Sequence, residues 1–195
     1  MEDRKYQILS EIDHILQRPG MYIGSVVTEK SNQYILDGNK FVQKTLDYNP
    51  GFVKLFDEIV SNSVDESKRK DTKLNTIKIN IDKHENTISI HDNGGMPVKI
   101  FEGTKEYIPQ VCFSKLRSGT NFQDDENRTW AGTNGVGSVA VNIYSTLFEV
   151  ETADGKNKFS MYWNDNMKSH SLARITKTIQ HYTRITYTPD LVRLG

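Results

Sequence analysis

The sequence has little cysteine and no long apolar run. Its single cysteine, Cys112, excludes a disulfide framework and a cysteine-rich metal site, and suits a reducing compartment. The N-terminal residues Met1 to Lys5 are mostly charged, with no signal-peptide core after them, and no segment approaches the length needed to span a membrane. We therefore expect a soluble protein of the cytoplasm.

The sequence also lacks an excess of charge of either sign. Its 25 lysines and arginines balance its 25 aspartates and glutamates, so bulk charge gives no indication of a nucleic-acid surface. Repeats, low-complexity tracts and domain linkers are missing as well. With 195 residues and 36% apolar content, the chain fits one domain with a single core.

A glycine-rich stretch, Gly132 to Gly137, precedes an apolar run that ends at Tyr144. The three glycines, spaced G-x-x-G-x-G, let the backbone approach a ligand, and the first turn of the following helix (136–145) has N–H groups without helical partners. This combination is typical of a phosphate site. The simpler alternative is a tight turn before a core helix.

Two better-known phosphate loops are excluded. The sequence contains no G-x-x-x-x-G-K-[ST] motif, so it has no P-loop. Gly135 to Ala140 fits G-x-G-x-x-[GA], but the polar residues 124–129 stand where a dinucleotide-binding fold needs a strand.

The strongest helical pattern begins at Pro50 and runs to about Lys70. One face, which runs from Phe52 to Val64, is apolar, and Glu58, Asn62 and Asp65 form a narrow polar stripe beside it. An ordinary solvated stripe is the alternative to a functional one. Weaker patterns predict helices at 5–17, which Pro19-Gly20 ends, and at 107–117.

Alternating residues predict β-hairpins at 76–82 with 87–91 and at 147–152 with 158–163, and a last strand at 183–187. Residues 21–25 begin a polar connector, and 40–48 is either a strand or a loop. The order of elements indicates an α+β fold with a mainly antiparallel sheet and helices on one face.

Two polar segments adjoin these elements. Asp92, at the end of a predicted strand, either supports the turn Asp92–Pro97 or accepts a hydrogen bond from a base amino group. The long polar segment 118–131, joined to the glycine-rich loop, is a candidate lid.

Taken in order, these motifs resemble the GHKL (Bergerat-fold) ATPases, specifically the ATPase domain of type IIA DNA topoisomerases, the group that includes DNA gyrase. The resemblance covers nearly the whole chain and is carried by Arg18–Ser25, Asp57–Glu66 and Gly132–Ser145. Four further segments look more like the phage and eukaryotic enzymes than like bacterial gyrase: 118–125, 151–154, 163–167 and 188–191. The resemblance implies a two-layer α+β sandwich.

The resemblance also implies roles for single residues. Glu58 would be the general base that activates water, Asn62 would bind Mg²⁺ through its amide oxygen, and Asp65 would support the helix and the pocket. A carboxylate one helical turn from a metal-binding amide suits phosphoryl transfer to water.

Asp92 would bind the adenine amino group, Thr183 would hold a bridging water, and Asn121 would contact the ribose or phosphates. Asn134 and the N–H groups of the glycine-rich loop would cradle the triphosphate. The full set implied to bind ATP is Asn62, Asp92, Asn121, Thr133, Asn134, Gly135, Val136, Gly137, Ser138 and Thr183.

The chain departs from the family pattern at two places. Asp92–Pro97 is one residue shorter than the usual loop and lacks the arginine that packs beside adenine. Tyr182 replaces the glycine that commonly precedes the motif threonine.

By resemblance, ATP binding pairs two such domains into an entry gate for DNA that the full-length enzyme passes through a double-strand break. We expect residues 1–195 to form one ATPase domain of a longer subunit, without its transducer and cleavage domains, in the host cytoplasm if a phage encodes it. Its partners would be ATP, Mg²⁺, a second ATPase domain, other topoisomerase domains or subunits and, through the full-length enzyme, DNA. Alone it would bind nucleotide, hydrolyse slowly and cleave no DNA.

Two alternatives remain open. One is another GHKL ATPase: a histidine kinase, a mismatch-repair MutL protein or a heat-shock chaperone. The Arg18–Ser25 signature argues against these. The other is a non-catalytic nucleotide-binding or interaction module, against which the presence of Glu58 argues.

Overall fold

A computed structural model of the chain describes residues 8–69, 71–116 and 135–195. The helices are α1 (Glu11–Gln17), α2 (Pro50–Ser67), α3 (Ile108–Ser114), α4 (Gly137–Ile143) and α5 (Leu191–Leu194), with one 3-10 turn at Pro19–Met21. The strands are β1 (Glu29–Asp37), β2 (Lys40–Tyr48), β3 (Ile77–Asp82), β4 (Thr87–Asp92), β5 (Ser145–Asp154), β6 (Asn157–Asn164), β7 (Ser169–His170), β8 (Arg174–Lys177) and β9 (His181–Pro189).

The main sheet has seven strands in the order β3-β4-β9-β5-β6-β7, and β8 also pairs with β6. Every pairing in it is antiparallel. Alternate side chains therefore point to one face, where rows of buried residues cross the central strands in register. One such row consists of Ile90, Ile185, Val150 and Met161. This face, covered by α1, α2 and α4, contains the core, and the predicted α+β arrangement with helices on one face is confirmed.

Helix α2 begins where its sequence dictates. The Asn49 side chain caps it by accepting a hydrogen bond from Phe52 N at 2.8 Å, and Pro50 occupies the first turn. Leu55 and Ile59 are buried as predicted. The predicted apolar arc is wrong at its C-terminal end, where Val64 is 38% exposed, because polar groups of this turn face the interior instead.

A β-hairpin that the sequence did not predict lies between α1 and α2. Residues 29–37 and 40–48 pair over nine positions, so the predicted polar connector is wrong from Glu29 onward and 40–48 is a strand. Among the described residues neither face of this hairpin is buried, since one face is exposed and the other is at most half-buried, and its apolar and polar residues do not alternate clearly.

Other differences concern element ends and short elements. Helix α1 begins at Glu11, where the Ser10 side chain caps it, so residues 8–10 of the predicted helix are not helical, and its residues 5–7 lie outside the described residues. Strand β9 is longer than predicted, and β7, β8 and α5 are too short to leave a periodic pattern. The predicted lid, 118–131, lies outside the described residues. No helix in the part that the structure describes is long and apolar enough to cross a membrane.

Candidate nucleotide site

The carboxylate of Asp92 lies at the end of β4 and is only 6% exposed. Its Oδ2 accepts a hydrogen bond from Ser63 Oγ of α2 at 2.7 Å, and its Oδ1 accepts one from Gly94 N at 2.9 Å. Each carboxylate oxygen can accept more than one hydrogen bond. Asp92 is thus fixed in place by two elements and retains acceptor capacity for a donor such as an exocyclic amino group.

Thr183 lies directly beside Asp92, since the two residues are register partners on β9 and β4. On its other side Thr183 faces Thr152 of β5, with the two hydroxyl oxygens 3.0 Å apart. The Thr152 hydroxyl donates to Tyr182 O at 3.1 Å, so Thr183 is the donor within the threonine pair. The Thr183 oxygen then remains an acceptor beside Asp92, which suits the predicted bridging water.

The shortened loop after Asp92 is fastened to β5. Met96 N donates to Thr152 Oγ1 at 2.8 Å, and Val98 N donates to Asp154 Oδ2 at 3.0 Å. Gly95 has a φ of +87°, and a Cβ there would lie 2.2 Å from Ala153 O. Any side chain at this position would collide with the β5 backbone, so only glycine lets the loop pass this close to the C-terminal end of β5.

Asp154 is stabilised as a carboxylate by Val98, just after this loop, and by the turn between β5 and β6. Burial would raise its pKa, but hydrogen bonds from the backbone N–H groups of Asn157, Val98 and Lys156 outweigh that effect and lower the pKa. The end of β5, which supports the candidate adenine pocket, therefore keeps a fixed negative charge.

Glu66, one turn after Ser63, also belongs to the surroundings of Asp92. Burial raises the pKa of the Glu66 carboxyl, Arg69 lowers it, and the negative charge of Asp92 raises it further. Arg69 Nε contacts Glu66 Oε2 at 2.8 Å. The structure thus places a second carboxyl group near the candidate adenine site.

Glu58 stands at the other end of the site, against the start of α4. Its side chain is 19% exposed and forms an ion pair with Lys54, one turn earlier on α2. A Cβ on Gly137 would lie 1.7 Å from Glu58 Oε2, so only a glycine leaves room for this carboxylate. The structure therefore brings Glu58, the predicted general base, together with the end of the glycine-rich loop.

The first turn of α4 has backbone N–H groups without helical acceptors at the same place. The first helical hydrogen bond runs from Ala140 N to Val136 O, which leaves the N–H groups of residues 137–139 without acceptors inside the helix. Helix α4 is held by α3, because Ser138 Oγ donates to Cys112 O at 3.1 Å and Asn142 Nδ2 donates to Phe113 O at 2.9 Å. The Ser138 hydroxyl is thus already engaged, and its backbone N–H remains as a donor.

The other predicted residues divide into three groups. Asn62 is exposed on α2, one turn after Glu58. Asp65 is buried near Lys68, as a supporting role requires, with Oδ1 3.6 Å from the ammonium nitrogen. Three predicted residues lie outside the described part of the chain: Asn121, Thr133 and Asn134.

Sequence reasoning missed Ser63 and Thr152. Both are buried hydroxyl residues that bond to the candidate adenine site. Ser63 could have been found from its position on the inner face of α2, where an apolar residue is expected. Thr152 is marked only by its place in a strand, which gives no functional pattern.

Comparison with known proteins agrees with this geometry. Residues 48–190 match the family model for histidine kinase-, DNA gyrase B- and HSP90-like ATPases. The chain is 41% identical to DNA topoisomerase 2 of Drosophila melanogaster over 197 residues, and 39% identical to that of Saccharomyces cerevisiae over 198 residues. Each alignment covers 98% of this chain but only 14% of the relative.

Solved structures show the same likeness. The ATPase region of Saccharomyces cerevisiae topoisomerase II superposes with a TM-score of 0.93 at 38% identity, over 99% of this chain and 53% of that one. The ATPase and transducer domains of DNA topoisomerase II from Balamuthia mandrillaris give 0.93 at 36% identity, over 100% of this chain and 52% of theirs. These relatives are eukaryotic, so they give no support to a phage source.

Proposed function

The chain belongs to the family of histidine kinase-, DNA gyrase B- and HSP90-like ATPases, and from this premise we propose that it is the ATP-driven gate module of a type II DNA topoisomerase. Membership of the family implies ATP binding. Within the family the chain is similar to the ATPase region of DNA topoisomerase II over nearly its whole length.

One observation supports the proposal most directly: a single helix, α2, holds both ends of the site. Glu58 lies against Gly137 at the start of α4, and Ser63 holds Asp92 at the end of β4. Ser63 follows Glu58 by five positions along the helix, a rise of about 7.5 Å. Adenine bound at Asp92 would thus have its phosphates directed toward Glu58 and the first turn of α4.

In the proposed reaction Glu58 accepts a proton from the water that attacks the γ-phosphorus, the bond from this phosphorus to the bridging oxygen breaks, and ADP and phosphate are released. Lys54 holds the carboxylate toward Gly137, and the N–H groups at the start of α4 donate to phosphate oxygens.

The residues of α2 fit Mg²⁺. Asn62 is exposed, and its amide oxygen is the kind of hard ligand that this ion takes. Among the described residues no group of three or more His, Cys, Asp or Glu side chains is placed to hold a metal. We therefore propose that Asn62 and the nucleotide phosphates share the ion, which neutralises phosphate charge during transfer.

The activity of the whole protein is part of the proposal, since the chain spans 14% of the length of the Drosophila and Saccharomyces relatives. We propose that two ATPase domains pair on binding ATP and that a transducer domain follows this one. The full-length enzyme would pass one DNA duplex through another. The isolated domain would hydrolyse ATP slowly, and the cytoplasm remains our predicted location.

Calorimetric titration with a non-hydrolysable ATP analogue and Mg²⁺ tests the candidate adenine site at Asp92. We expect the wild-type chain to bind and Asp92→Asn to bind at least about tenfold more weakly, because one charge-assisted hydrogen bond contributes roughly 1.5–3 kcal/mol. Asp47→Asn is the matched control, since Asp47 is exposed on β2 and forms an ion pair with the exposed Lys30. Equal binding by the Asp92 and Asp47 variants would contradict the proposed site.

A further inference from the structure

The β1–β2 hairpin has no extensive contact with another helix or strand in the described part of the chain, although it is one of the largest elements. Its nine paired positions give it a length of about 30 Å. The side-chain hydrogen bonds of its two strands connect hairpin residues to each other, as in Lys44–Asp37 and Thr45–Asn32. A two-stranded hairpin without further packing is only marginally stable in water. A surface packed against the β1–β2 hairpin would therefore stabilise it.

The hairpin is apolar where it projects furthest. Leu36 and Phe41 are register partners next to the turn, and Tyr34 lies on the same face. These three side chains are 64%, 75% and 71% exposed, respectively. Ile35 and Val42 pair on the opposite face and are half-buried. Apolar side chains gathered on an exposed surface mark an interaction site, and apolar groups on both faces suit insertion between two packed elements.

The foot of the hairpin is bonded to the segment that follows β9. Thr28 Oγ1 donates to Gly195 O at 3.3 Å, and Asn49 Nδ2 bonds Leu194 O as well as Thr28 Oγ1 and Val26 O. Gly195 lies so close to Val26 that a Cβ there would be 2.8 Å from Val26 O. Polypeptide that continues from Gly195 therefore starts beside the foot of the hairpin.

From these contacts we infer that the β1–β2 hairpin is the docking surface for the polypeptide that follows Gly195 in the same subunit. Its apolar tip inserts into that following domain. The inference rests on the proposed function, which places a transducer domain there. It is consistent with the Balamuthia mandrillaris relative, in which this chain matches only 52% of a chain with ATPase and transducer domains. A second copy of the chain is the competing occupant.

Photo-crosslinking in the full-length protein tests the inference. Benzoylphenylalanine replaces Phe41, and mass spectrometry identifies the captured peptide in dimers mixed from isotopically light and heavy subunits. Position 41 is exposed, so the probe leaves the core intact. We expect capture of residues beyond 195 of the same subunit, in at least tenfold excess over the same probe at His84. His84 is the control because it is an exposed residue in the turn of the other hairpin, β3–β4.

Capture of the other subunit, or no capture above the His84 control, would overturn the docking assignment. ATP hydrolysis and DNA relaxation by the unlabelled protein are measured in parallel. An active enzyme without the crosslink contradicts only the docking surface, whereas an inactive enzyme with the crosslink contradicts only the proposed function.

Discussion

Gly137→Ala is expected to separate nucleotide binding from hydrolysis. The added Cβ would lie 1.7 Å from Glu58 Oε2, 2.4 Å from Cδ and 3.0 Å from Cγ. Ordinary carbon–oxygen contacts are roughly 3.3 Å or longer, so the carboxylate has to withdraw by about 1.5 Å or more. A displacement of 1 Å in catalytic geometry costs about 100-fold in rate. We expect kcat for ATP hydrolysis to fall at least about 100-fold.

The variant should fold normally and still bind ATP. Gly137 begins α4 and its φ is not positive, so alanine fits the backbone there and raises helix propensity. The adenine end of the site, at Asp92, is untouched. We therefore expect the Kd of an ATP analogue to change less than about fivefold and the unfolding temperature to stay the same or rise.

The assay is steady-state ATP hydrolysis by the full-length protein, with calorimetric binding beside it. Gly20→Ala is the matched control, because a Cβ there would meet no described atom within 4 Å. In the double variant with Glu58→Gln the two effects should not add, since both remove the same carboxylate from its place. A kcat within threefold of wild type for Gly137→Ala would refute the assignment of Glu58 as the base held against α4.

Two further predictions concern buried hydroxyl groups. Ser63→Ala removes the hydrogen bond to Asp92 Oδ2 and should raise the Kd of the ATP analogue about fivefold, which corresponds to roughly 1 kcal/mol of binding free energy. The control is Ser67→Ala, which should leave the Kd unchanged because Ser67 is an exposed serine bonded to Val64 O on the same helix. Equal effects of the two substitutions would contradict the role of Ser63. Burial raises the pKa of Tyr144 from 10.0 to about 12, against a smaller opposite effect of Arg193. As the pH rises, the unfolded chain loses this proton before the folded one does. The contribution of Tyr144 to the free energy of unfolding is therefore fully present below pH 10, and roughly 2–3 kcal/mol of it is lost between pH 10 and 12. The difference in unfolding free energy between wild type and Tyr144→Phe, measured with urea, should decrease by this amount over the same pH range. Parallel pH profiles of unfolding free energy for the two proteins would contradict the prediction.

Local patterns predicted much of the fold because its core elements are buried on one side only. β4 alternates between half-buried and buried residues, and α2 has a clear apolar stripe. The β1–β2 hairpin was missed for the opposite reason: neither of its faces is buried by the described residues, so its sequence has no need to alternate.

The site could be predicted only in part. Glu58 and Asn62 share one helix, so their spacing is visible in the sequence. Asp92 and Thr183 are far apart in the chain and become neighbours through the β4–β9 register, which no local pattern specifies. Their pairing came from the family resemblance, whereas the contacts of Ser63 and Thr152 came only from the structure.

The position of α2 connects the candidate site to the foot of the hairpin. Asn49 caps this helix through Oδ1, while its amide nitrogen bonds Val26 O, Thr28 Oγ1 and Leu194 O. Further along, the same helix carries Glu58 and the Ser63 hydroxyl that holds Asp92. Buried, mutually bonded elements move as units because close-packed interiors deform little. Any shift of α2 would therefore carry Leu194 and the foot of the hairpin with it, which connects the candidate site mechanically to the proposed docking surface.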